Sequence, residues 1–216
     1  MKIKKITVAI ILLIVLSFLI GIFSYQFLPE KIASHWNSKG EVDGYMSKFW
    51  GLFLIPIISI FLYLLFLLVP KIDPLKRNIE KFREYYDYLI LVIFLFLFYV
   101  FLLTILANFG YKFNMTATII PAVGLLFFYI GFILNKVKRN WFIGIRTPWT
   151  LSSEQVWRKT HELGSKLFKI SGVIIFVGVF FQDYLIWFIL VPVIVTTVWL
   201  VFYSYLEYRK IKGVRK

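Results

Sequence analysis

Two stretches of this chain gather the side chains that could do chemistry. The first, Leu28 to Lys48, reads LPEKIASHWNSKGEVDGYMSK and crowds His35, Trp36, Asn37, Glu41, Asp43 and Tyr45 into one short interval. An imidazole beside two carboxylates is a donor set that a divalent metal accepts. The spacing here follows no ligand pattern, so no metal site is expected. The second stretch, Asn140 to Lys166, reads NWFIGIRTPWTLSSEQVWRKTHELGSK and holds Trp141, Gly144, Arg146, Thr147, Pro148, Trp149, Trp157, Arg158, Thr160 and His161. Ser152, Ser153 and His161 are close in sequence, yet no G-x-S-x-G turn surrounds either serine. No carboxylate pair or histidine-rich metal motif lies within the apolar segments. The chain has no cysteine, which removes disulfides and thiolate chemistry. No catalytic residues and no cofactor are expected, and the chain does not read as an enzyme. His161 reads as a helix-surface residue or as a hydrogen-bond partner that orders the loop.

Local signals say how these side chains should be held. Pro148 biases Thr147 away from the helical region. Ser152 followed by Gln155 has the form of a capping box and predicts a helix start near Ser152. Glu154 with Arg158, and Glu162 with Lys166, then stand one turn apart in the favourable acid-first order. The Arg146 guanidinium, flanked by Trp141, Trp149 and Trp157, is placed to stack on an aromatic face. In the first stretch Pro29 ends a helix and Lys39–Gly40 makes a turn between two extended arms. Such a hairpin brings His35, Trp36 and Asn37 on one arm to Asp43 and Tyr45 on the other.

The elements that position both stretches are apolar. The chain has 216 residues, 60% of them hydrophobic, with a mean hydropathy of +0.81; a soluble domain is nearer about 45–50% apolar. Several runs reach the ~20 residues that cross a bilayer. The predicted fold is an all-α polytopic membrane protein with six transmembrane helices. The spans are read as Ile6–Phe27, Phe49–Val69, Tyr88–Ala107, Ala117–Leu134, Leu167–Phe181 and Tyr184–Leu206. A charged linker covers Pro70 to Asp87 and a brief turn covers Asn108 to Thr116. Leu167–Phe181 is short and crosses only if the helix begun near Ser152 continues into it. Gln182–Asp183 then makes a tight turn.

Charge sets the expected orientation. Of the 25 Lys and Arg residues, 20 fall in the N-terminus, the 70–87 linker, the 135–166 loop and the tail. Only Lys31, Lys39, Lys48 and Lys112 fall on the other side, and Lys169 sits at a span's edge. Positive residues concentrate on the cytoplasmic face, so both termini are expected there, with Leu28–Lys48 external and Asn140–Lys166 cytoplasmic. The net charge of +14 is thereby explained without nucleic acid. No Asp, Glu, Arg or His lies at the centre of a span, which counts against coupled transport. A passive channel or small-molecule permease remains as the alternative function.

The two stretches resemble a known family. P-x-K-I-x-x-H-W-N-x-x-G-x-x-D-x-Y in 28–48 is similar to the external domain of the SdpI family of bacterial membrane proteins. NWFIGIRTPWTLSSEQVWRKTH is similar to that family's C-terminal signature. The resemblance implies immunity to a secreted antimicrobial or toxin peptide, of the kind bacteriocin producers need. It also implies signal transduction, in which a cytoplasmic winged-helix repressor is held at the membrane. On that basis His35, Trp36, Asn37, Asp43 and Tyr45 are expected to face the toxin. Trp141, Gly144, Arg146, Thr147, Pro148, Trp149, Trp157, Arg158, Thr160 and His161 are expected to form a partner-docking signature. Three stretches organise the chain: 1–69, the first two spans with their loop; 70–134, the linker with spans three and four; and 135–216, the signature, the last spans and a basic tail. The expected location is the cell membrane, with lipid as the surrounding partner.

Overall fold

The computed structural model describes residues 2–214; Met1, and Arg215 and Lys216 of the basic tail, lie outside the described residues. Among the described residues six helices are long and apolar enough to cross a membrane. They are α1 (Lys2–Tyr25), α2 (Lys48–Ile72), α4 (Arg83–Asn108), α5 (Met115–Leu134), α7 (Glu154–Val177) and α8 (Leu185–Val214), with short helices α3 (Lys76–Glu80) and α6 (Pro148–Ser152) between them. Strands β1 (Lys31–Trp36) and β2 (Val42–Ser47) form one antiparallel hairpin. The chain is a multi-pass membrane protein.

Most span boundaries move outward from those expected. Pro70 lies inside α2, which runs to Ile72, so the linker shortens and carries α3 in its middle. Proline lacks only one donor, and the α2 backbone remains helical around both Pro56 and Pro70. α4 opens at Arg83 and takes in residues assigned to the linker, because Arg83 and Asp87 pair at i,i+4 (2.9 Å). The fifth span is one unbroken helix, α7, that begins in the polar loop, as its length required.

The helices divide into two groups, α1–α2–α4 and α5–α7–α8, joined where α4 packs on α5. In the first group Ile10, Ile14, Tyr86, Ile90 and Phe94 build a buried core. In the second, α5 and α7 approach backbone to backbone: a methyl placed on Gly124 or Gly172 would meet the carbonyl oxygen of the other. Small residues at such a crossing allow dense packing where lipid offers no hydrophobic drive. Ser165 adds a hydroxyl bond to the Gly131 carbonyl (2.6 Å), and Ser171 bonds Thr196 of α8 (2.9 Å). Hydrophobic side chains elsewhere, such as Leu12, Phe61, Leu125 and Val198, are exposed, as lipid contact demands.

Candidate functional site

Both polar stretches fold into defined structures at opposite ends of the bundle. At one end the hairpin turns at Gly40, whose φ of +81° favours glycine. Asn37 organises the turn: its Oδ1 accepts the amides of Lys39 and Glu41, and its Nδ2 donates to Glu41. Of the expected neighbours one pair comes together, His35 with Asp43, while Asn37 meets Glu41 and Tyr45 and Trp36 face residues outside the expected set. The His35 ring pairs with Asp43, Ala33 faces Tyr45 and Trp36 faces Val42, with irregular register around His35. The outward face is wet: Tyr45 is 66% exposed, and Trp36 is half-buried rather than sealed.

The hairpin's other face is fixed to the bundle. Ile32 packs into a core with Leu28, Leu52, Phe101 and Ile105. Asn108, the last residue of α4, accepts the Ala33 amide (2.8 Å) and donates to the Ala33 carbonyl (3.0 Å). One amide side chain thus serves as a strand edge for β1. Thr116 donates to the Asn37 carbonyl and Asn114 to that of Lys39, each at 2.9 Å. At the base, the buried Lys48 ammonium reaches Glu30 (3.0 Å) and lies 4.4 Å from the Tyr25 ring centroid. The 108–116 segment, expected as a mere turn, is what seats the hairpin. Asn114 caps α5 through the Ala117 amide, a preference readable in sequence.

At the other end, residues 135–153 and the first turns of α7, to His161, form a cap closed over the helix ends. Its centre is Asn140, fully buried. Oδ1 accepts from the amides of Phe142 and Ile143, and Nδ2 donates to the carbonyls of Lys138 and Ile143. Asp73, buried at the end of α2, accepts the amides of Leu75 (2.6 Å) and Trp141 (2.9 Å). Asn78 of α3 donates to the Arg139 carbonyl. The cap thereby ties the linker to the signature, and sequence reading missed all three residues. Of these, Asn140 carried a local signal, as a turn-favouring amide ahead of an irregular segment.

Several expectations for the signature need correction. The capping box belongs to Thr147 and Thr150, not to Ser152 and Gln155: it opens α6, with Pro148 at its first turn and Thr147 extended as predicted. Ser152 ends α6 and bonds the Trp149 carbonyl, while Ser153 caps α7 through the Val156 amide. Two serines in a row fit either register, and the five-residue helix before them decides it. Glu154 pairs with Arg139 (3.3 Å) rather than with Arg158, which is exposed. Arg146 does not stack on an aromatic ring; its guanidinium donates to the Trp141 carbonyl (2.7 Å) from an exposed position. The ring that stacks on Trp157 is His161, with centroids 4.0 Å apart.

His161 is therefore an interior residue, 1% exposed. One ring nitrogen, Nε2, accepts the Ile145 amide at 3.0 Å, and Nδ1 faces the Trp157 carbonyl at 2.8 Å. A neutral imidazole with its proton on Nδ1 satisfies both contacts. Gly144, at φ +111°, passes the ring so closely that a Cβ there would overlap Nε2. Trp157 donates to the Val137 carbonyl (3.0 Å), and Thr160 is fully buried beside it. The cap is also held to α8: Thr147 meets Ser204 (3.0 Å), Trp149 packs on Tyr205, and Lys159 pairs with the buried Glu207 (2.6 Å). Among the described residues no cluster of three His, Asp or Glu side chains is placed to hold a metal.

Comparison with known proteins places this arrangement. The family model described as the SdpI/YfhL protein family matches residues 136–205, the cap with α7 and most of α8. The immunity protein SdpI of Bacillus subtilis (strain 168) is 33% identical over 206 residues, covering 95% of this chain and 97% of that protein. The chain belongs to the SdpI family. A second family model, described as a domain of unknown function (DUF1648), matches residues 12–60, from α1 through the hairpin into α2. No solved structure matches. The two models that match this SdpI-family chain thus take in its two polar stretches, one each.

Proposed function

We propose that the chain is an integral-membrane immunity protein that gives its cell resistance to a secreted antimicrobial or toxin peptide. The observation that carries this reading is the similarity, over nearly the whole of both chains, to a protein named for immunity. The role is one of binding, not catalysis. The 20 to 4 division of basic residues supports placing the cap and both termini in the cytoplasm and the hairpin outside. Reporter fusions after Lys39 and after Asn114 are expected to read external, and one after Arg158 internal. An internal signal at Lys39 contradicts this orientation.

In this reading the exposed hairpin face, His35, Trp36, Asn37, Asp43 and Tyr45, meets the peptide. A half-buried indole beside paired polar groups is the type of surface that concentrates binding energy. The cap offers a different surface to a cytoplasmic winged-helix repressor. Its exposed members, Trp141, Arg146, Pro148 and Arg158, make the contact, while Gly144, Thr147, Trp149, Trp157, Thr160 and His161 hold the cap's shape. The division into 1–69, 70–134 and 135–216 follows the same logic, each stretch contributing one helix pair and the polar segment beside it.

The deciding experiment is a strain deleted for the gene and challenged with candidate secreted toxin peptides. Restored survival on expressing this chain is expected, and survival no better than with an empty vector contradicts the proposal. Membrane co-fractionation of candidate winged-helix regulators, with and without peptide, tests the signalling role. A regulator that stays soluble in both conditions removes that role and leaves immunity standing.

A further inference from the structure

A cavity of about 380 Å³ lies at the hairpin end between three separate segments. Ser38 and Lys39 of the hairpin turn form one wall, Asn114 before α5 a second, and Asp183, Leu185 and Ile186 at the start of α8 the third. Its size falls at the lower end of ligand pockets, about 300–1,000 Å³. Both polar ends of the Asn114 side chain are already used, one on the Ala117 amide and one on the Lys39 carbonyl. The hairpin turn is thus pinned and the wall is fixed before any ligand arrives.

The remaining polar side chains are not used. The other three carboxylates at this end are engaged: Glu30 by Lys48, Glu41 by Asn37 and Asp43 by His35. Asp183, Lys39 and Ser38 have no side-chain hydrogen bond or ion pair among the described residues. Each alone is an ordinary solvated group. Together they place a cation, an anion and a hydroxyl, unpaired with one another, around one small cavity. Beneath them Leu185 is buried and Ile186 is 40% exposed. Beside the cavity Tyr184 and Trp187 are 63% and 59% exposed, and such rings sit at head-group level in a membrane.

We infer that this cavity binds the head group of a phospholipid carrying both a phosphate and a primary amine. The phosphate meets the Lys39 ammonium and the Ser38 hydroxyl. The amine donates to the Asp183 carboxylate, and the glycerol and acyl chains leave over Ile186 toward Trp187. A quaternary ammonium has no N–H for Asp183, and a glycerol head group has no cation. The site therefore distinguishes ethanolamine lipids from choline and glycerol lipids. A lipid wedged between the hairpin turn and α8 would also bridge the two helix groups at the face where the peptide arrives.

The test is native mass spectrometry of the full chain released from micelles that contain phosphatidylethanolamine, phosphatidylcholine or phosphatidylglycerol at equal mole fraction. The ethanolamine lipid is expected to bind about threefold more tightly than the others, Asp183→Asn to bring it level with them, and Lys39→Gln to weaken all three alike. Equal binding of the three lipids by the parent overturns the inference, as does a preference that survives in Asp183→Asn. Displacement of the bound lipid by acetyl-Leu-Lys-Leu-amide, lost in Asp183→Asn, also overturns it and assigns the cavity to a peptide. No toxin is needed, so the result stands whether or not the chain confers immunity.

Discussion

The hairpin and the cap draw on the same side chains, with one histidine each, several aromatic rings, amides and carboxylates, and they use them in opposite ways. The His35 side chain is 72% exposed and its partner Asp43 43%. His161 is 1% exposed and locked between the Ile145 amide and the Trp157 carbonyl. Asn37 shapes a turn in water, whereas Asn140 satisfies the cap's backbone with none of its surface showing. Buried polar groups with every bond made specify one conformation, because any alternative leaves a group desolvated and unpaired. Exposed pairs contribute little to stability and stay available to a partner. The cap is built to keep a shape, and the hairpin face stays exposed, as the proposed recognition requires.

That contrast makes Asn140 the most damaging place to substitute. Asn140→Ala removes the partner of the Phe142 and Ile143 amides and of the Lys138 and Ile143 carbonyls and empties a fully buried side-chain position, and a loss of about 3 kcal/mol is expected. Thermal unfolding of the detergent-solubilised protein measures it. A midpoint unchanged from the parent would show that the cap does not depend on this residue. Gly144→Ala comes next. It places a methyl against the His161 ring and forces a positive φ on a non-glycine residue, for an expected cost of about 2 kcal/mol. The same unfolding assay applies, and Gly144→Ala is expected to cost less in a His161→Ala background than in the parent, because the ring it meets is gone. An equal cost in both backgrounds would mean that the backbone strain, and not the ring, sets it.

The fold was largely readable because membrane insertion reduces to length and hydropathy, and both are linear in sequence. The hairpin was readable for a similar reason, since Lys39–Gly40 between two arms is a local signal. The seats that hold it were not. Asn108 and Ala33 are 75 positions apart, and no periodicity links a helix-ending amide to a strand edge. The cap failed in the same way: Asp73 and Trp141 are 68 positions apart. Its local errors came from degeneracy. Thr147, Ser152 and Ser153 can each cap a helix, and Arg146 has both tryptophans and carbonyls within reach. Only the packing of α6 on α8 chooses among them.

At the hairpin the expected change in stability is smallest. Asp43→Asn removes an exposed pairing with His35 and is expected to shift stability by no more than about 0.5 kcal/mol. A drop as large as that of Asn140→Ala would erase the distinction between the two ends and make the hairpin face a structural element.

The central claim is that this exposed face recognises the peptide. Its most direct test is survival across a toxin titration for strains carrying the parent, Trp36→Ala or Asp43→Asn, with membrane-fraction protein quantified in each culture. The account predicts lower tolerance in both variants at parental abundance. Parental tolerance at parental abundance in both variants, or tolerance that falls only in proportion to the protein remaining, would contradict it.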